Sequence, residues 1–247
     1  MKNFNRWGFF VSTTLLASFL LIQDANAARG GGMSGDMSLG IGISTVSSSQ
    51  DDMNGAIDDA NTTANATTKN LGSAWEFYAN WGWRFSGTSY AILFRPSYFT
   101  QKAEGSGTGG SFDYSLSGYT VFPIFRLYPL ENDFIKFYMQ TGLGYGSLSG
   151  DITAASKTLA FKGSAFGAMG GIGVDFCFTA SHCVSIEGNI RYMPIERNLS
   201  TGGNCTASGD IPGISQCGGT SEVETGGSDL RTTMSGVQGL LGYTMNF

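Results

Sequence analysis

Histidine, proline and charge are scarce in this chain. Its 247 residues include one His, five Pro and four Cys, and charged residues make up 13%, against roughly 25% in a soluble domain. One His and no Cys-x-x-Cys spacing argue against a zinc site and against imidazole chemistry. After residue 22 the apolar runs are all too short for a membrane helix, so a polytopic helical membrane protein is excluded. A basic stripe is also missing. The formal net charge is −5, which argues against nucleic acid as a partner. What is abundant is Gly (37) together with Phe (18), Tyr (10) and Trp (4). A disordered chain lacks such aromatics, and a parallel α/β enzyme carries more amphipathic helix. An all-β domain remains.

The first residues read as an export signal. Lys2 and Arg6 form a basic stretch ahead of an apolar one from Trp7 to Ile22, and Ala25-Asn26-Ala27 places small residues where a signal peptidase reads. Cleavage after Ala27 is expected, and the loss of Lys2, Arg6 and Asp24 leaves the exported chain more acidic still. All four Cys lie in that exported part, as an oxidising compartment allows. Pairing Cys177 with Cys183 and Cys205 with Cys217 closes the shortest loops and costs the least chain entropy, although three connectivities are formally open.

From Asp36 onward the hydrophobic period is two. Trp75, Phe77, Ala79, Trp81, Trp83 and Phe85 alternate with Glu76, Tyr78, Asn80, Gly82 and Arg84, and similar rows recur in 37–44, 135–146 and 184–192. The pattern predicts eight strands, at 36–46, 73–86, 89–101, 112–129, 134–148, 161–178, 183–197 and 228–247. Connections 47–72, 102–111, 149–160 and 198–227 are long, polar and rich in Gly, Ser, Thr and Asn; 87–88, 130–133 and 179–182 are tight turns. An even strand count with long loops on one side and short turns on the other is the pattern of a transmembrane barrel. Pro96 and Pro123 fall within strands, where missing N–H groups predict local irregularity.

On these features the chain resembles the eight-stranded outer-membrane β-barrels of diderm bacteria, those like the transmembrane domain of outer-membrane protein A. The C-terminus carries the most specific part of the resemblance. Gly242, Met245 and Phe247 occupy the Gly, hydrophobic and terminal-aromatic places of the family's assembly signal, while Leu240 stands where the family prefers a polar residue. The resemblance implies an all-β, transmembrane, antiparallel up-and-down barrel of eight strands over 36–247, after a signal peptide at 1–27 and a short periplasmic segment at 28–35. It implies residence in the bacterial outer membrane as a monomer, with outer-membrane lipid and lipopolysaccharide as surroundings and the barrel assembly machinery and periplasmic chaperones as partners.

The two faces of the strands then carry different expectations. Trp75, Trp83, Tyr90, Tyr98, Phe137, Phe176, Tyr192, Tyr243 and Phe247 fall near strand ends, where rings prefer bilayer interfaces. Gly40, Gly42, Gly142, Gly144, Gly146, Gly167, Gly171, Gly173 and Gly236 face a lumen too narrow for large side chains everywhere. Glu76, Asp175 and Glu187 share that lumen with Arg84, Arg95, Lys136 and Arg191, and unpaired charges there would be costly, so an interior ion-pair network that plugs the barrel is expected. A gated ion path is the rival. His182 lies in the 179–182 turn, on the side opposite the long loops, so an outer-leaflet enzyme with a His base is not expected, and neither is a cofactor or a metal. Asp51, Asp52, Asp58 and Asp59 miss the calcium-loop spacing, and the N-x-S/T triplets at Asn61, Asn65, Asn198 and Asn204 read as loop composition. A structural or surface-interaction role through long mobile extracellular loops leads, and a narrow porin-like channel follows.

Overall fold

The computed structural model describes residues 36–219 and 221–247; the expected signal sequence and the segment 28–35 lie outside them. Eight long antiparallel strands follow one another: β1 (Asp36–Ser47), β2 (Ser73–Arg84), β3 (Tyr90–Gly107), β4 (Gly110–Glu131), β5 (Ile135–Ala154), β6 (Lys157–Cys177), β7 (His182–Tyr192) and β13 (Gly236–Asn246). Between the last two lie five short strands, β8 (Pro194–Ile195), β9 (Asn198–Gly203), β10 (Glu224–Thr225), β11 (Ser228–Asp229) and β12 (Thr232–Thr233). Each long strand pairs with the next in sequence, and β13 pairs with both β7 and β1, so the sheet closes into an eight-stranded up-and-down barrel.

Closure removes sheet edges, and the residues of each face follow from it. Outward lie Ile41, Ile43, Trp75, Phe77, Trp81, Trp83, Ile92, Phe94, Leu143, Phe166, Ile190 and Leu241, all more than two-fifths exposed. A water-soluble protein does not display such a contiguous belt. Its rims are aromatic. Tyr98 packs at a tilt on Tyr119 and Tyr145 edge-on to Phe166 at one rim, and Tyr90 stacks on Phe125 at the other. On β2 the belt runs from Trp75 to Trp83, a length of strand that crosses a bilayer at a tilt. The belt is therefore a membrane surface.

Both prolines interrupt the ladder without shifting it. The β2–β3 pairing lapses between Tyr78↔Ser97 and Trp81↔Phe94, beside Pro96, and the β4–β5 pairing lapses between Val121↔Tyr145 and Ile124↔Gly142, beside Pro123. β3 and β4 stay fully paired with each other there, so each missing N–H faces away from their shared ladder.

Beyond the belt the expected long loops are largely replaced by structure. Segments 102–111 and 149–160 are strand, with tight turns at Thr108–Gly109 and Ala155–Ser156. Residues 51–63 form a helix, α1 (Asp51–Thr63). The alternation keeps its phase past the membrane but reverses in polarity: Phe99, Ala103, Phe112, Tyr114, Leu116, Leu148, Ile152, Leu159 and Phe161 point inward and are buried, while Lys102, Glu104, Asp151 and Lys162 point out. Met53, Ala56, Ile57 and Ala60, at helical spacing, complete this core with Ile211, Ile214, Val223 and Leu230 from the segment after β9. The principal apolar core thus sits in a cap on one end of the barrel, outside the membrane belt.

Candidate functional site

The lumen under the cap is filled by two buried ion clusters. In the first, Glu187 Oε1 accepts hydrogen bonds from Arg95 Nη2 (2.9 Å), Arg126 Nη2 (3.0 Å) and the Tyr138 hydroxyl (2.9 Å), and Oε2 accepts one from Gln140 Nε2 (2.8 Å). Arg126 lies over the Tyr138 ring at 3.7 Å and Arg95 over the Tyr78 ring at 4.8 Å. In the second, Glu76 accepts from Arg191 Nη1 (2.9 Å), Gln238 Nε2 (2.9 Å) and the Ser97 hydroxyl, and Arg191 Nε donates to the Met234 carbonyl (2.6 Å). Desolvating these ions costs several kcal/mol each, and only dense coordination of this kind offsets it. The Gly rows make the space: a Cβ at Gly173 would stand 2.4 Å from the Tyr138 ring, and one at Gly144 would stand 2.5 Å from Phe122.

The seven expected lumen charges therefore divide. Glu76 with Arg191, and Glu187 with Arg95, are brought together. Arg84 and Lys136 are not: both turn to Glu131 at the end of the barrel opposite the cap, at 2.5 and 3.8 Å. Asp175 accepts from the Ser185 hydroxyl at 2.6 Å and has no ion-pair partner among the described residues. Arg84, Lys136, Asp175, Leu93 and Tyr128 line a vestibule of about 280 Å³ at that end. Sequence alternation does not single out Arg126, because its inward neighbours Phe122 and Ile124 are apolar and the row shows no polar contrast; its cross-strand pairing with Gln140 would have marked it.

The segments expected as long loops are helix and strand at the capped end, and beside the apolar core side-chain carboxamides tie them together. Gln50 exchanges two hydrogen bonds with the backbone of Thr233 (2.6 and 3.0 Å), Asn54 two with Leu71 (3.2 and 2.7 Å), and Asn61 two with Thr68 (2.8 and 3.0 Å). Asn204 binds Thr158 N (2.6 Å) and Ser156 O (2.9 Å). Each amide completes a peptide's donor and acceptor as a neighbouring strand would. The Cys205–Cys217 disulfide closes the same segment, and Cys177–Cys183 bridges the β6–β7 hairpin at the other end.

Asp210 adds a pH-sensitive tie to the cap. The backbone N–H of Thr206, then the Lys157 ammonium at 2.9 Å and the N–H of Ala207, hold its carboxyl well below the usual carboxylate range. A depressed carboxyl contributes stability that is present above its unfolded value, about 3.9, and is lost as pH falls through the folded value. Asp210→Asn should therefore speed proteolysis of the cap at pH 7 and nearly as much at pH 4. The gap from wild type should close only in stronger acid, as pH falls through the depressed value; a gap already gone at pH 5 would contradict this.

The residues expected as an assembly signal lie on the closing strand and just past its end. Gly242 pairs with Gly42 across the β1–β13 seam, Met245 pairs with Leu39, and the Phe247 N–H donates to Met37 O at 2.8 Å. His182, at the uncapped end, meets the Tyr243 hydroxyl at 2.6 Å.

No protein-family model matches the sequence, and none of the curated proteins matches it. Solved structures do. The outer membrane protein OprG from Pseudomonas aeruginosa is similar over 88% of this chain and 98% of its own, with a TM-score of 0.55 and 11% identity. The fold is that of an outer-membrane β-barrel. A major outer membrane protein from Thermus thermophilus is similar over 87% of this chain and 100% of its own, with a TM-score of 0.52 and 12% identity. At such identities the likeness concerns the barrel and not what it binds or carries.

Proposed function

We propose that the protein is a sealed, non-enzymatic outer-membrane barrel that presents its cap, a rigid folded platform, at the cell surface. The observation that carries this reading is the pair of seals in series. The Glu187 and Glu76 clusters fill the membrane lumen, and the apolar core around α1 closes the space above them. In this reading the capped end is extracellular and the tight turns are periplasmic. The C-terminal Gly242, Met245 and Phe247 serve the assembly machinery. The vestibule lined by Arg84, Lys136 and Asp175 supports a second reading, a narrow channel entered from the periplasm, but Tyr128 in its wall accepts a hydrogen bond from Arg126, a member of the buried Glu187 cluster.

Orientation is tested by inserting an epitope after Thr108, in the β3–β4 turn, or after Asn132, in the β4–β5 turn. Antibody added to intact cells should detect only the first. Detection of the second alone would invert the barrel and remove the surface platform.

A further inference from the structure

We infer that the vestibule at the uncapped end binds a small organic cation, an ammonium or guanidinium group, between the carboxylates of Asp175 and Asp36. Such a site would serve in either orientation of the barrel.

Strand register sets out the charges of this mouth. Asp36 stands opposite Arg84 on β2, and Asp175 opposite Lys136 on β5. Neither pair forms. Glu131, at the end of β4, takes both cations, Arg84 at 2.5 Å and Lys136 at 3.8 Å, and Arg84 also donates to the Thr88 carbonyl at 3.1 Å. Arg126, in the cluster below, donates to Gln140, Glu187 and the Tyr128 hydroxyl, and not to Asp175. One glutamate thus holds two cations, while the two aspartates hold none among the described residues. Asp175 is 5% exposed and lines the vestibule. Its Oδ1 accepts from the Ser185 hydroxyl at 2.6 Å, and its Oδ2 accepts no hydrogen bond among the described residues. A carboxylate oxygen so buried is costly to leave without a donor, and a donor arriving in the vestibule relieves that cost.

The walls select the class of ligand. An ammonium group carries three N–H donors, and Asp175, Asp36 and Ser38 supply acceptors around the vestibule, while Leu93 and Phe247 offer apolar surface to a carbon chain. The volume of about 280 Å³ equals about nine waters at roughly 30 Å³ each, room for a chain of a few carbons. The Tyr128 ring is already covered by the Arg84 guanidinium at 4.8 Å, so carboxylates rather than a ring face hold the charge. A metal ion suits the mouth less: among the described residues no group of three or more His, Cys, Asp or Glu could hold one. The Glu187 cluster beneath has two guanidiniums for one carboxylate, and this excess opposes a further cation. The expected affinity is therefore modest, with Kd on the order of 1 mM.

The probe is n-butylammonium, titrated against the full barrel in detergent micelles and followed by saturation-transfer NMR. Wild type should bind it, and butyrate, of the same length and opposite charge, should not bind. Asp175→Asn keeps the size and the Ser185 contact but loses the charge, and should weaken binding about tenfold, as expected for one charge-assisted hydrogen bond. Asp36→Asn, at the exposed start of β1 where folding tolerates it, should weaken binding several-fold. Asp133→Asn, in the adjoining β4–β5 turn and exposed, should leave binding unchanged. Arg29, seven residues before Asp36 and outside the described residues, carries the same chemistry within the chain. If its guanidinium fills the site, wild type stays silent and Arg29→Gln binds the probe, which keeps the site and identifies the source. No binding in either of those proteins, equal binding of butyrate, or undiminished binding in both aspartate variants at the mouth would overturn the assignment.

Discussion

Glu187→Gln should lower the unfolding free energy of the barrel by about 3 kcal/mol, the lower end of what breaking a buried ion pair costs. The carboxylate is fully buried, and both of its guanidinium partners, Arg95 and Arg126, are no more than 5% exposed. Removing its charge leaves two cations in a lumen whose other buried acids are committed elsewhere, Glu76 to Arg191 and Asp175 to Ser185. Gln keeps the size and some hydrogen bonds, so the loss is mainly electrostatic. Urea unfolding in detergent micelles, followed by Trp fluorescence and by heat-modifiable mobility, measures it. Replacing Arg126 by Met in the Glu187→Gln background should recover part of the loss, because one unpaired cation goes. A loss below about 1 kcal/mol would mean that water reaches the cluster and that the lumen is not sealed there.

Gly42→Val should be more damaging to assembly. A Cβ at Gly42 would lie 2.4 Å from the Leu241 carbonyl oxygen and 2.5 Å from the Tyr78 ring and hydroxyl. The first is backbone of β13, on the seam that closes the ring, and the second is packed in the lumen beside Arg95. Neither can retreat without breaking the Ile43↔Leu241 register or the ion cluster. Overpacking of this kind costs typically 1–3 kcal/mol, and more where backbone blocks relaxation. The expected result is loss of most folded, heat-modifiable barrel on refolding. Ile43→Val, the lipid-facing neighbour, should refold like wild type; a normal yield for Gly42→Val would show that the seam tolerates a side chain there.

Much of this architecture is legible in the sequence because a membrane barrel writes each face with its own chemistry. Trp75 to Phe85 against Glu76 to Arg84 is unmistakable, and closure of eight such staves follows from their number and turns. Legibility fails where polarity inverts. Past the membrane, Ala103, Ile152 and Leu159 still alternate with Lys102, Glu104 and Asp151, but Gly105, Gly107, Gly109, Gly110 and Gly150 with their neighbouring Ser and Thr give 102–111 and 149–160 the composition of loops, and only the core around α1 explains why the rows continue as strand. The helix itself is masked by Gly55 and its Asp and Asn residues, poor helix formers; its signature is the spacing of Met53, Ala56, Ile57 and Ala60. In the lumen, parity identifies which charges point inward, but not which meet. Arg84 and Lys136 share the inward parity of Arg95, yet lie near the strand ends, where Glu131 reaches them. Pairing depends on height along the barrel, which a two-residue period does not encode.

The most direct test of the sealed barrel is conductance. Full-length protein, refolded with the Cys205–Cys217 disulfide intact and inserted in a planar bilayer, should give no discrete current steps, and Glu187→Gln, though less stable, should remain silent while folded. Steady ion-selective steps in the wild type, altered in selectivity by Glu187→Gln, would make the lumen a pore and contradict the account.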